Sequence, residues 1–256
     1  MEHLRLIGIL ATWVIGVLTQ RQCPVGRMGH SCELPCRDFY KSCAQWQTPE
    51  KCDELRPQTD FFDLNCGRTC ALCAFDPNTI ETDTPVVPVL RPLAFMIGQW
   101  ESSYSLPIRY PTDHYDQFYH EFLDVAPAEV IMFGSPAINY TSISRSLTDP
   151  NDVRTTHGFI SIKQESDPPE VSILATSNEG LNTVELGKVE NGILVVNMTY
   201  MQIHPALDLD VLPIGGSRLF KRDGPNLEMS VIKLDRRQRI GQFTKFFRRL
   251  REYKMA

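Results

Sequence analysis

The sequence predicts a mainly β protein, an antiparallel β-barrel of about ten strands preceded by a small disulfide-rich module. Three observations lead there. All eight cysteines fall between Cys23 and Cys73, and none follows to residue 256. Beyond Arg91, short runs rich in Val, Ile, Phe, Tyr and Thr recur between clusters of Gly, Pro, Asn and Asp. Helical periodicity of any length is missing from that region. The predicted organisation is a leader at 1–19, a cysteine-rich module at 23–73, a linker at 74–90 and the barrel at 91–256.

The leader, MEHLRLIGILATWVIGVLTQ, has a short basic start at Arg5 and an apolar run from Leu6 to Leu18. It reads as a secretory signal peptide. At about 13 residues the run is too short to cross a ~30 Å hydrocarbon layer, so stable membrane insertion is not expected. The expected location is therefore extracellular. An oxidising compartment turns an even set of closely spaced cysteines into disulfides.

The last six cysteines read C-RDFYKS-C-AQWQTPEK-C-DELRPQTDFFDLN-C-GRT-C-AL-C, from Cys36 to Cys73. Six cysteines allow fifteen connectivities, and spacing alone leaves them open. Zinc ligation by Cys66, Cys70 and Cys73 competes, but no histidine completes a nearby set. The pattern, with Asp38 two residues after the first of the six and the closing CGRTCALC, resembles the ShKT module named after a sea-anemone toxin. The resemblance implies the pairs Cys36–Cys73, Cys43–Cys66 and Cys52–Cys70, leaving Cys23–Cys32 as an extra bridge. Channel block by such toxins uses a lysine beside an aromatic residue between the third and fourth cysteines. Here that segment, Asp53 to Asn65, holds four carboxylates, one arginine and no lysine, which argues for an interaction or tethering role instead.

The segment AFDPNTIETDTPVVPVLRP, rich in proline, threonine and acids, is the linker. After it come about ten strand-like segments: DQFYHEFL, AEVIMFG, AINYTSISRS, GFISIKQ, VSILATS, NTVELGKVE, GILVVNMTY, SRLFKRD, NLEMSVIKL and FTKFFRRL. The turns NEG, ENG and RDGPN carry the chemistry that reverses an antiparallel chain. Such a series suits a barrel or a sandwich, and closure removes exposed sheet edges. A barrel of this size commonly encloses one small ligand.

The barrel region resembles the nitrobindin family of haem-binding barrels, whose fold is similar to that of lipocalins and fatty-acid-binding proteins. The matching stretches are PLAFMIGQW ending at Trp100, RYPT at Arg109 to Thr112, FYHEF, FGSPAINYTSISRS, HGFISIK from His157, TSNEG, VELGKVENGILVV and NLEMSV. The resemblance implies haem held through one histidine on a late strand. In this chain that place falls on Phe243, followed by Lys245. Phenylalanine has no lone pair for iron. The family's glycine-rich approach to the cofactor is replaced by ESSYSLPIR, a bulkier mouth.

The barrel's histidines are His114, His120, His157 and His204, of which His157, opening a strand, is the candidate substitute ligand for haem. No other metal ligand set is expected. Zinc-protease, nucleophile-elbow, phosphate-loop and dinucleotide signatures are missing, so no catalytic residue is assigned, and Asp116 and Glu121 read as a strand's solvated face. The expectation is a binding protein, with peroxynitrite isomerisation implied only where haem is bound. The favoured ligand is a small hydrophobic molecule in an apolar interior near Trp100, Phe159 and Phe243. A haem protein with nitric oxide or peroxynitrite chemistry and an extracellular matrix protein with a filled barrel are the alternatives.

A formal net charge of −5 argues against nucleic-acid binding. The basic final stretch RRQRIGQFTKFFRRLREYKMA nevertheless offers a face to an anionic extracellular partner such as a heparin-like polysaccharide. Two sequons, Asn139-Tyr-Thr and Asn197-Met-Thr, lie on predicted strands as candidate glycosylation sites. Outward asparagines would send Ile138 and Tyr140 inward.

Overall fold

A computed structural model describes residues 23–40, 42–74, 86–112, 118–129, 135–163, 166–205 and 212–253. The predicted leader, most of the linker, His114, Asp116 and most of AEVIMFG lie outside the described residues.

In the N-terminal module a two-stranded ribbon, β1 (Arg27–Met28) and β2 (Leu34–Pro35), precedes three short helices. These are α1 (Cys43–Trp46), α2 (Pro49–Leu55) and α3 (Phe61–Asn65). The start of α2 is encoded locally: Pro49 opens it, and the Thr48 hydroxyl accepts from the Lys51 amide at 3.4 Å. Disulfides join Cys23–Cys32, Cys36–Cys73, Cys43–Cys66 and Cys52–Cys70. The Asp38 carboxylate accepts from the Arg68 and Thr69 amides, each at 3.1 Å, and so ties the chain just after Cys36 to the closing CGRTCALC segment. A core too small to stand alone, with Met28, Leu34 and Phe39 at its centre, is thereby stapled.

The barrel opens with a 3-10 helix, Pro88–Met96, inside what composition marks as linker and barrel start. Leu90, Leu93 and Met96 are buried, and the helix packs on β6, β8 and β10, so it crosses one end of the barrel. Ten strands follow: β3 (Gly98–Ser102), β4 (Tyr119–Pro127), β5 (Ala137–Ser146), β6 (Val153–Lys163) and β7 (Glu170–Ser177). The rest are β8 (Leu181–Glu190), β9 (Ile193–Ile203), β10 (Pro213–Asp223), β11 (Asn226–Asp235) and β12 (Ile240–Arg251). Each pairs antiparallel with the next, and β12 returns to β3, closing an up-and-down barrel. Closure leaves no free edge.

Local chemistry sets the turns. Between β8 and β9, Asn191 and Gly192 have φ of 51° and 75°, the pair of positive values that a two-residue hairpin requires and that Asn-Gly supplies with little strain. Alternation along each strand then decides what enters the lumen. On β5, Ile138 and Tyr140 are buried and Asn139 is exposed. At the helix end the lumen is packed with apolar side chains, among them Trp100, Leu123, Ile160, Leu194, Phe220 and Phe247.

Candidate functional site

The opposite end is different in kind. There the C-terminal ends of β5, β7 and β9 and the N-terminal ends of β6, β8 and β12 form a mouth, and ion pairs replace the apolar core. Glu121 of β4 and Lys245 of β12 point inward and meet at 2.5 Å, with the Ser142 hydroxyl donating to the same carboxylate at 2.8 Å. Burial pushes the Glu121 carboxyl up, but the Lys245 ammonium and these hydrogen bonds outweigh it and hold it below the usual carboxylate range. The expected solvated face at Glu121 is thus corrected: the residue shares the inward parity of Tyr119 and Leu123.

A second pair, further round the barrel, joins β8 to β10 across β9. Glu185 of β8 accepts from both ends of the Arg218 guanidinium of β10, with Nε at 3.0 Å from Oε1. The Arg218 Nη1 also donates to the Tyr140 hydroxyl at 3.0 Å. Over this pair hangs the loop after β3. Its Tyr110 hydroxyl donates to Glu185 at 2.5 Å, and the Arg218 guanidinium lies 4.7 Å from the Tyr110 ring centre. Burial, and then the Glu185 charge, raises the Tyr110 phenol far above its ordinary value, so it stays a proton donor.

The same loop seals the rim. Arg109 donates to Glu179, in the β7–β8 turn, at 2.7 Å and to Thr112 at 2.6 Å. Glu179 also accepts from Arg154 at 3.0 Å, and its carboxyl, pushed up by burial, is drawn net downward by Arg109 and Arg154. The Lys233 ammonium donates to the Arg109 carbonyl at 2.6 Å. The segment RYPT, noticed in the sequence as a motif, is therefore a plug pinned by four buried charges.

Phe243 sits at this end, on the inward face of β12 and 8% exposed. Lys233 and Lys245 lie on either side, each with its nitrogen 5.7 Å from the ring centre. Inward and half-buried at the same end are Met198 and Met201 of β9, past a register shift between Val184 and Glu185.

The four residues expected to line one ligand site are separated by the structure. Trp100 is inward but belongs to the helix end, where its indole donates to the Met96 carbonyl at 2.8 Å between the guanidinium groups of Arg222 and Arg249. His157 and Phe159 are corrected to the outer wall: Ile160 and Ile162 take the inward parity of β6, which turns 157 and 159 to solvent. Phe159 is 54% exposed, and the His157 ring shares a 3.1 Å hydrogen bond with the Thr141 hydroxyl.

The other described histidines are also outside the lumen. His120 faces out to Glu101 at 2.9 Å, His204 follows β9 and is exposed, and His30 belongs to the module. Among the described residues no imidazole reaches the space beside Phe243. The side chains that do are Lys233 and Lys245, whose nitrogens donate to the Arg109 carbonyl and the Glu121 carboxylate. These residues do not fit haem held through histidine.

The charge pairs at the mouth escaped the sequence reading because each joins residues far apart in the chain. The signal that could have found them is an acid or base at an inward parity, as at Glu121, Glu185, Arg218 and Lys245.

The outer wall carries a hollow of about 650 Å³ bordered by Asn139, Thr141, His157, Phe159, Leu174 and Val184. No described helix is long and apolar enough to cross a membrane.

Comparison with known proteins finds both a matching family model and similar solved structures. The family model of the THAP4-like, heme-binding beta-barrel domain matches residues 89–232. The crystal structure of Rv2717c from M. tuberculosis is similar at a TM-score of 0.49 and 17% sequence identity, covering 65% of this chain and 99% of that one. No curated protein matches.

Proposed function

The chain belongs to the THAP4-like, heme-binding β-barrel family, and from that premise we propose that it is a secreted binding barrel whose ligand is a small hydrophobic molecule rather than histidine-ligated haem. The observation that carries this reading is Phe243, standing inward at the mouth between Lys233 and Lys245. In this reading Phe243 replaces the family's iron-ligating histidine and offers an apolar ring in its place. Met198 and Met201, half-buried at the same end, supply adaptable apolar contacts. Small-ligand sites combine such surfaces with a few fixed polar groups, here the Tyr110 hydroxyl and the two ammonium groups.

Secretion is supported by the leader-like segment Leu6 to Leu18 and by four disulfides in a module that needs an oxidising compartment. In this division of the chain the disulfide-rich unit spans 23–73 and acts as a tether.

The test is a haemin titration of the protein secreted from eukaryotic cells, beside a Phe243→His variant. The unmodified protein is expected to give no sharp Soret band, and the variant to develop one. A defined band in the unmodified protein overturns the reading. Because an imidazole between two ammonium groups faces its own penalty, binding of 1-aminoanthracene is measured in parallel. Saturable fluorescence in the unmodified protein, weakened by Met198→Glu, is the expected result.

The filled-barrel matrix reading is favoured by one observation, the plug of Arg109 and Tyr110 across the mouth. It predicts that neither haemin nor the fluorophore binds. Its basic C-terminal face is partly neutralised, since Arg248 pairs with Glu101, Arg239 with Asp235 and Arg249 with Glu252. Weak, salt-sensitive retention on heparin is the expected behaviour.

A further inference from the structure

Outside the lumen, β6 to β9 expose a run of large apolar side chains: Phe159, Leu174, Leu186, Ile193 and Val195 are each 39% to 54% exposed. Strand register makes this a continuous surface. Phe159 lies opposite Leu174, and Leu174 opposite Val184. The hollow of about 650 Å³ sits over this row. A contiguous apolar patch on the outside of a barrel calls for a cover.

The two sequons stand at its two flanks. Asn139 of β5 is directly opposite Phe159, and Asn197 of β9 is directly opposite Leu186. Both asparagines are exposed. A strand's period of two places Thr141 on the same outer face as Asn139, and Thr199, at the register shift of β9, is itself exposed like Asn197. Directly paired side chains have their Cβ atoms about 4.5–5.5 Å apart, within reach of the first sugar of a side-chain-linked glycan.

We propose that Asn139 and Asn197 carry N-linked glycans that roof the apolar outer wall, the first sugar on Asn139 packing its C–H face on the Phe159 ring. The inference rests on the reading of the chain as secreted. In the transfer, the Asn Nδ2–C1 bond forms as the C1–O bond to a polyprenyl pyrophosphate-linked oligosaccharide breaks. One amide proton is lost and the lipid pyrophosphate leaves. Both acceptors lie mid-strand, so transfer acts on the chain before the strands pair. The fold then holds because both asparagines face out.

The test uses full-length protein from eukaryotic secretory cells, compared by mobility and mass with Asn139→Gln, Asn197→Gln, Thr141→Ala and Thr141→Ser. The expected result is loss of one glycan in each of the first three and retention in Thr141→Ser, which keeps the sequon. Bis-ANS fluorescence is then expected to rise when a peptide-N-glycosidase strips the folded wild type. The rise should be absent in a Phe159→Ser/Leu174→Ser variant. Secreted protein without glycan at either asparagine overturns the inference while secretion stands. Protein found only in the cytosol overturns both. Glycans whose removal leaves dye binding unchanged overturn the roof.

Discussion

The Glu121 carboxylate and the Lys245 ammonium, 124 residues apart in the chain, meet at 2.5 Å inside the barrel. They tie β4 to β12 across β3, which separates those strands in the sheet. Removing one member of a buried pair strands the other charge, at about 3–5 kcal/mol, whereas replacing both with apolar groups of similar size is often close to neutral. Lys245→Met alone is therefore expected to lower stability by that amount. Glu121→Leu/Lys245→Met should recover most of it. Urea denaturation midpoints of wild type, Glu121→Leu, Lys245→Met and the double variant form the cycle. Additive losses would mean the two groups are not coupled.

Acid sensitivity follows from the same mouth. Glu121 and Glu179 both have folded-state carboxyl values held below the ordinary 4.5, by Lys245 and by Arg109 and Arg154 respectively. A lowered folded value means that the ionised form favours the fold. Its contribution is complete above the unfolded value and is lost as pH falls below it. Tm is expected to hold from neutrality to about pH 5 and to drop steeply below the ordinary carboxylate value. In Glu179→Gln the neutral-pH Tm should be lower and the acid slope shallower. An unchanged slope in Tm against pH would sink this account of Glu179.

The plug separates ring from hydroxyl. Tyr110→Phe keeps the ring beside Arg218 but removes one of the two donors to Glu185 Oε1, so a loss of about 1.5–3 kcal/mol is expected from the missing hydrogen bond to a charged group. Tyr110→Ala removes the ring as well and exposes the Glu185–Arg218 pair to water. It should lose more stability and speed the entry of 1-aminoanthracene in stopped-flow mixing. Equal entry rates in wild type and Tyr110→Ala would show that this loop does not control the mouth.

What the sequence made legible was local. The Asn-Gly turn at Asn191 and the alternation around Asn139 act over a few residues, and chain geometry converts them directly into structure. The face of β6 was not legible. In HGFISIK, apolar residues occupy both parities, Phe159 on one and Ile160 and Ile162 on the other. Period two then marks a strand without saying which side enters, and packing against Ile138 and Ile173 decides for the isoleucines. Glu121 shows the complementary limit. Its charge suggests solvent, and the partner that overrides the suggestion is supplied by a strand at the far end of the chain.

Strand β6 also contains the most stringent requirement for a small residue that the outer wall shows beside the hollow. A Cβ on Gly158 would lie 2.1 Å from the Leu174 carbonyl oxygen and 2.8 Å from the Ala175 Cα. Both are backbone atoms of the paired strand, so no side-chain rotation relieves the contact, and β6 and β7 must separate. Gly187 meets the same obstacle across β8 and β9, at 1.8 Å from the Val195 carbonyl oxygen. Gly241 is the control: its nearest neighbour is the flexible Lys233 side chain at 3.5 Å, an ordinary contact. Gly158→Ala and Gly187→Ala are expected to cost about 1–3 kcal/mol or more through overpacking. Gly241→Ala should stay within about 1 kcal/mol of wild type, the reduced freedom of the unfolded chain offsetting any strain. Thermal denaturation of the three variants separates the two cases. If Gly158→Ala melts with Gly241→Ala, glycine at 158 answers some need other than close approach of the strands.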